Sequence, residues 1–417
     1  MKPHHTFIKR LLSLTLVSSL LVATSCSDDE GDDPATINPV TISASINEET
    51  QLTNIVEAEG LPDYIVDGFL DVNADLIIDP GVCIVFTANS GLFISNNGSL
   101  QAVGTSEKGI KFTGQAKTTG FWAGIQVRAN DVRNELNYVT VEYAGSDHLA
   151  TYGTNVKLFG GVAIEGVTGS NGSLKVFNST FQNCDGYGLI VEHGTVLRDF
   201  SNNKFISNTD AAIRIDANNV GEIDSESTFT GNGLDGVEIN ASGSPTHDFN
   251  EDDIWYPLSN GAVYQVAQSF NAFAKLTILP GTTIEFEANQ NIAFRQDFSG
   301  PNDGIIVAKG TVSEPITFTA ATKTAGYWQG LIIESNSTLN EMDNCIVEYG
   351  GSDVISGGKA NILLNKDGAF TAPDLKISNS IIRHSGGCGI FIDPFGANLL
   401  GSSITYADNV GADVCNE

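Results

Sequence analysis

Positive charge is scarce in this chain. Lysine and arginine total 21 against 50 aspartates and glutamates, a net charge of −29 over 417 residues. A surface that neutralises nucleic-acid phosphates needs the opposite balance, so the composition argues against a nucleic-acid partner. Cysteines are few. With Cys26 set aside, an odd set of five remains (Cys83, Cys184, Cys345, Cys388 and Cys415), and no CxxC occurs. A structural zinc site is therefore not expected, and most of the five are expected to be small core residues. The few histidines, among them His148, His193, His247 and His384, show no ligand spacing. GxSxG, HExxH and phosphate-loop patterns are missing too. No stretch past residue 40 sustains a 3.6-residue apolar period, which removes a helical fold. Only two methionines and as many as 44 glycines suit a turn-rich β protein.

The N-terminus carries its own pattern. Lys2, Lys9 and Arg10 precede an apolar run from Leu11 to Ala23. The run is too short to span a bilayer and has the shape of a secretory signal over residues 1–25. It closes on Ala23-Thr24-Ser25-Cys26, which resembles a lipobox and implies cleavage before Cys26 and a diacylglycerol on its sulfur. Residues 26–50 open with Ser27-Asp28-Asp29-Glu30 and Gly31-Asp32-Asp33-Pro34, read as a solvated acidic tether. An acidic stretch after a lipidated cysteine resembles the surface-export signal of Bacteroidetes lipoproteins. The expected location is the outer membrane, on the cell-surface side, with the lipid as the membrane contact.

The remainder repeats itself. Tyr64 to Gly81 matches Tyr264 to Gly281 at an offset of 200 residues. Lys117 to Ile125 matches Lys323 to Leu331, and Val141 to Asp147 matches Val347 to Asp353, both at an offset of 206. Three blocks in the same order indicate duplication. The expected modules are residues 51–250 and 251–417.

A shorter period runs inside each copy. Gly161 to Glu165, Gly188 to Glu192, Ala212 to Asp216 and Gly236 to Asn240 follow one another at steps of 27, 24 and 24 residues. Each reads small, apolar, any, apolar, polar, which is a strand with one buried face. Upstream, Phe181, Phe205 and Phe229 share one column, Asn178, Asn202 and then Glu226 a second, and Cys184, Asn208 and Asn232 a third. Matched columns every two dozen residues are rungs of a coil whose stacking buries a common core. Like residues then lie about 4.8 Å apart, and stacked asparagines at the turns form a hydrogen-bonded ladder. The fold class is all-β, a right-handed parallel β-helix in two tandem copies.

These residues resemble right-handed parallel β-helix proteins of the pectin-lyase-like superfamily, and more closely the β-helix repeat lipoproteins common in Bacteroidetes. The resemblance rests on Leu276 to Phe286, on Ile306 to Thr319, on Trp122 to Ile125 and on Val141 to Gly145, and it spans most of residues 60–417. It is specific for fold and weak for function.

Several groups carry candidate chemistry. The duplicated Glu142/Asp147 and Glu348/Asp353 read either as a turn signature or as paired carboxylates for a ligand. Glu165, Glu192 and Asp216 form an outward acidic column. It reads as a solvated face, or as a face for a sugar or for calcium, the one cofactor such a column would take. Arg214 beside Glu192, Asp216 and Glu238 is the only basic cluster on a strand face, and so the place where lyase chemistry would sit. Ile332, Leu363 and Phe391 form an outward apolar stripe, either covered by a loop or by the first module, or in contact with a partner. Trp122 and Trp328 are expected to pack at rung corners, and Trp255 to staple the junction between the copies. The leading functional reading is a surface scaffold that binds glycans, cations or another protein. The alternatives are a polysaccharide lyase or glycoside hydrolase of the same fold, and an adhesin using the apolar stripe.

Overall fold

A computed structural model describes residues 38–416, apart from 57, 59, 153–155, 168–169, 241–247, 297–302 and 367–371. The lipobox, with Cys26, and the first part of the tether lie outside the described residues. Residues 38–417 form one compact unit. It is a right-handed parallel β-helix whose regular secondary structure is almost entirely strand.

The small-apolar-any-apolar pattern produces the rungs. Val162, Leu189, Ile213 and Val237 pair in register on successive strands, as do Ile164, Val191, Ile215 and Ile239. All eight are buried. Neighbouring strands run parallel, so like residues stack and each apolar column becomes part of the lumen. Phe181, Phe205 and Phe229 stack with centroids 5.0 and 5.7 Å apart and are almost fully buried. Each such ring removed from water stabilises the coil by about 2–3 kcal/mol.

The corners need backbone that bends sharply between strands. Asn178, Asn202, Asn344 and Asn379 sit there with φ between 47° and 54°, the left-handed region that asparagine tolerates better than most residues. Its side chains also bond to the preceding rung, Asn178 Nδ2 donating to Asn137 Oδ1 at 3.1 Å and Asn379 Nδ2 to Asp343 Oδ1 at 2.8 Å. A hydrogen-bonded ladder of asparagines runs through the third column. Asn208 accepts from the Cys184 amide at 3.1 Å, and Asn232 accepts from the Asn208 amide at 3.1 Å and its Nδ2 at 2.9 Å.

One long sheet passes through both copies. It contains Gly124–Val127, Val156–Ile164, Tyr187–Val191, Ala211–Ile215 and Leu234–Ile239 of the first copy. It continues through Val263–Val266, Thr283–Phe286, Ile316–Ala320 and Cys345–Glu348 of the second. Equivalent strands of the two copies therefore lie on different faces. Tyr64–Val66 belongs to an eight-stranded sheet, whereas its counterpart Val263–Val266 belongs to the long one. Gly124–Val127 lies in the long sheet, whereas Gly330–Ile333 lies in a separate six-stranded sheet. The second copy is turned by one of the three faces.

The hinge of this turn is Leu234–Ile239. Its Val237 pairs with Tyr264 as Val40 pairs with Tyr64. It is at once the last rung of one copy on this face and the first of the next. The expected boundary at residue 250 thus does not separate two bodies. Trp255 is fully buried there and stacks on Tyr264 at 5.3 Å. The coil also starts earlier than expected. Val40–Ile42 and Thr50–Leu52 already pair with the next rung, so residues 40–50 are not tether. At the other end the two-residue strand Val414–Cys415 is tied back by a disulfide between Cys388 and Cys415. Cys83, Cys184 and Cys345 are buried free thiols, and burial raises the pKa of each.

Candidate functional site

The duplicated carboxylates part company in space. Glu142 lies under the wall, with Thr113 Oγ1 donating to it at 2.8 Å and Gln182 Nε2 at 2.7 Å. Lys117 and Lys111 stand 3.5 and 3.9 Å away. Burial pushes its pKa up, but those hydrogen bonds and charges outweigh burial and hold the carboxyl below its ordinary value. Glu348 repeats the arrangement with Thr319 at 2.8 Å and Arg383 at 2.6 Å. Asp147 instead bonds its neighbour His148, and Asp353 is exposed. The carboxylates tie rungs together and do not converge as acid and base. Just beside them, Trp122 and Trp328 donate to the carbonyls of Glu142 and Glu348, both at 2.8 Å. The indoles stack on Phe86 and Phe286 at 3.9 and 4.0 Å and are fully buried, so neither is a sugar platform.

The apolar stripe is covered. Ile332, Leu363 and Phe391 are at most 4% exposed and pack with Ala293, Ala360 and Ile355 outside the lumen. The covering segment follows the Glu348 to Asp353 block and turns back between Ile355 and Gly358. A Cβ on Gly358 would stand 2.2 Å from the Phe391 ring. The first copy has the same device at the same place. Strands His148–Tyr152 and Val156–Ile164 form an antiparallel hairpin. Its Leu149, Ala150 and Leu158 cover Ala163 and Ile190. An adhesive surface at Leu363 and Phe391 is thereby overturned: the hydrophobic contact is made within the chain.

The acidic column does not face open solvent as a ladder of equal charges. Glu165 is bound by Gln126 at 2.7 Å and paired with Arg128. Asp216 is only 2% exposed, accepts from the amide of Asn218 at 3.1 Å, and stands 3.1 Å from His193 Nδ1, which donates to it. Between them sits Glu192. Burial raises its pKa to about 7. Arg214 opposes that rise, and the Glu165 and Asp216 charges reinforce it. No three His, Cys, Asp or Glu side chains among the described residues gather into a cluster of metal-ligating geometry.

The four residues marked for lyase chemistry do meet. Arg214 and Glu238 face each other in register and pair at 2.7 Å. Tyr187 places its ring under the guanidinium at 5.9 Å and its hydroxyl donates to Glu238 at 3.2 Å. A shallow hollow, open to solvent, lies at this corner and is lined by Val191, Glu192, His193, Arg214, Ile215, Asp216 and Asn240. His193 and Asn240 were not legible as members. Each follows a strand end at the corner, and only the rung stacking brings them in.

Residues 252–361 match the family described as pectate-lyase like beta helix domain. The pectate-lyase-like match lies within the second copy, and the internal repeat carries the same strand pattern through the first. The hollow falls outside the matched residues, so the match lends it no role. No curated protein matches the chain.

Proposed function

We propose that the chain is a lipid-anchored β-helix at the cell surface that binds a partner, a polysaccharide or a surface protein, without chemistry of its own. The observation that carries this reading is the state of the arginines. Arg128, Arg133, Arg214, Arg295 and Arg383 each pair with a carboxylate, and Arg198 donates to Asp131 O and Ser173. Every arginine among the described residues is thus engaged in holding rungs together. Proton abstraction from a uronate requires a base that approaches the sugar. Arg214, the arginine of the candidate cluster, has a side chain 7% exposed and held by Glu238.

One observation favours the enzymatic alternative. A carboxyl with a pKa near 7 in a hollow is half protonated at neutral pH, as the general acid of a glycoside hydrolase must be. The two readings separate in one assay. The full chain, purified in detergent, is mixed with neutral and acidic polysaccharides, with and without calcium. New reducing ends, unsaturated uronate absorbance and co-sedimentation are recorded. Co-sedimentation without cleavage is expected. Cleavage that disappears in Glu192→Gln would overturn the binding reading. The anchor is tested separately: labelled fatty acid should enter the parent and not Cys26→Ser, and protease added to intact cells should degrade the protein.

A further inference from the structure

We propose that the disulfide between Cys388 and Cys415 is a redox-operated clasp, a site of thiol–disulfide exchange at which a dithiol releases the strand Val414–Cys415 from an otherwise folded coil. The proposal stands independently of the binding reading above. The two copies supply the argument, because they hold the same rung differently. Asn208 accepts from the Cys184 amide at 3.1 Å and donates to the Phe181 carbonyl at 3.1 Å. Asn409 accepts from the Ser385 amide at 3.0 Å and donates to the Ile382 carbonyl at 3.2 Å. This match puts Cys388 at the position of Tyr187, Val414 at that of Ile213 and Cys415 at that of Arg214. In the first copy Tyr187 lies under Arg214, and Arg214 pairs with Glu238 of the following strand. That strand, Leu234–Ile239, covers the far edge of Ala211–Ile215, and Ile213 is fully buried. In the second copy no strand among the described residues pairs with the far edge of Val414–Cys415, and Val414 is 41% exposed. A covalent bond spans the same 27 positions that separate Tyr187 from Arg214, and it does the holding that the next rung does in the first copy.

The bond is placed where a reductant can reach it. Both of its cysteines are half-buried, whereas Cys83, Cys184 and Cys345 are buried. Burial keeps those three thiols protonated, so they do not compete for exchange. A thiolate of the dithiol attacks one clasp sulfur, the S–S bond breaks, and the other cysteine leaves as a thiolate that takes a proton from water. The second thiol of the reductant loses its proton to water and attacks the mixed disulfide, and the first cysteine leaves and is protonated in turn. The clasp gains two electrons and two protons, and the dithiol becomes a disulfide. What then holds the strand is slight. Gly389 and Ile390 donate to the carbonyls of Ala412 and Asp413 at 3.0 and 2.9 Å, and Gly411 donates to that of Gly387 at 2.7 Å. With the tie gone these bonds open to water, while those of the inner rungs stay closed. Disulfides persist outside the reducing cytoplasm, so on the proposed route to the cell surface the clasp closes after export.

The test compares the full chain in detergent before and after treatment with dithiothreitol at pH 8, without denaturant. Iodoacetamide labelling read by peptide mass spectrometry is expected to mark Cys388 and Cys415 on reduction. Cys83, Cys184 and Cys345 should stay unlabelled until the chain is denatured. Hydrogen exchange at Gly389, Ile390 and Gly411 should quicken about a hundredfold, while Leu189, Ile213 and Val237 stay as protected as before. Cys415→Ser should show the fast exchange with and without the dithiol, and glutathione disulfide should restore slow exchange in the reduced parent. Thermal melts check that the variant keeps the main transition of the parent. Cys388 and Cys415 labelled before any reductant is added, or unlabelled after it, would overturn the clasp. Labelling without faster exchange would show that the rung holds without the bond, and would overturn it too. Labelling of Cys83, Cys184 and Cys345 as well, or faster exchange throughout the coil, would mean global unfolding and overturn the local release. None of these outcomes bears on polysaccharide binding.

Discussion

In the first copy the outward apolar positions of a β-sheet lie under an antiparallel hairpin with a register shift between His148 and Ala150, and Leu149, Ala150 and Leu158 stand above Ala163 and Ile190. In the second, larger residues at the equivalent face, Ile332, Leu363 and Phe391, lie under a short irregular turn that includes Ile355. Ala163 lies below the hairpin where Leu363 lies below the turn, and Ile190 where Phe391 does. Both covers start after the same block, Glu142 to Asp147 and Glu348 to Asp353. That block is best understood as the launch point of a cover, held to the wall by the buried glutamate. The corners contrast in the same way. One copy closes its carboxylates with backbone amides and neighbouring side chains, and the other sets Glu192 beside a hollow with the Arg214 charge near it.

The comparison can be broken most forcefully at the covered stripe. Leu363→Asp places a charge where the parent residue is fully buried. It should lower stability by about 4–5 kcal/mol, measured by denaturant unfolding. A fold left intact would mean that the cover lifts off freely. Next come the paired indoles. Trp122→Ala and Trp328→Ala should each cost about 3–5 kcal/mol, because each removes a buried ring stacked on a phenylalanine. Equal losses in the two copies would support a common role, while a large inequality would show that one corner repacks.

The carboxylates give an intermediate effect with opposite signs. Glu192 has an ordinary value of 4.5 and a folded value of about 7. Between these the folded state holds a proton that the unfolded state has lost, so stability falls as pH rises through that window. The loss is complete above pH 7 and reaches up to about 3 kcal/mol. Glu192→Gln should remove the fall and unfold at higher denaturant than the parent at pH 8. Glu142 is shifted downward, so its contribution is present at neutral pH and is lost as pH falls through its lowered value. Glu142→Gln should therefore flatten the acid limb and leave the neutral-to-alkaline limb unchanged. The smallest effect is expected at Arg133, about half exposed and paired with Asp75 and Asp131. Arg133→Ala should change stability by less than about 1 kcal/mol, and less still at high salt.

Much of the coil was legible because rung stacking repeats in sequence. The Gly161, Gly188, Ala212 and Gly236 series marks the strands, and Phe181, Phe205 and Phe229 mark one lumen column. The turning of the second copy was not legible. An offset of 200 residues records that Tyr264 repeats Tyr64, but not which sheet receives it. A loop over the Ile332, Leu363 and Phe391 stripe was among the readings, but not the segment that supplies it, since residues 351–359 carry no periodic signal and their packing is against a face, not along a strand. The Asn178 and Asn202 column was recognised, but residue type alone does not separate a backbone bend from a hydrogen-bonded ladder. At Glu192 the outward alternation was foreseen. The burial of its carboxyl was not, because it depends on how the rungs pack at the corner.

The shared strand Leu234–Ile239 sets a rule for growth. Because it ends one copy on a face where the next copy begins a different strand type, each join advances the pattern by one face. Further copies joined in this way would point their like surfaces in three successive directions, and a fourth would return to the first. A protein lengthened by such duplication would acquire new facings as it gained length, and so could meet ligands on several sides from a single anchored stem.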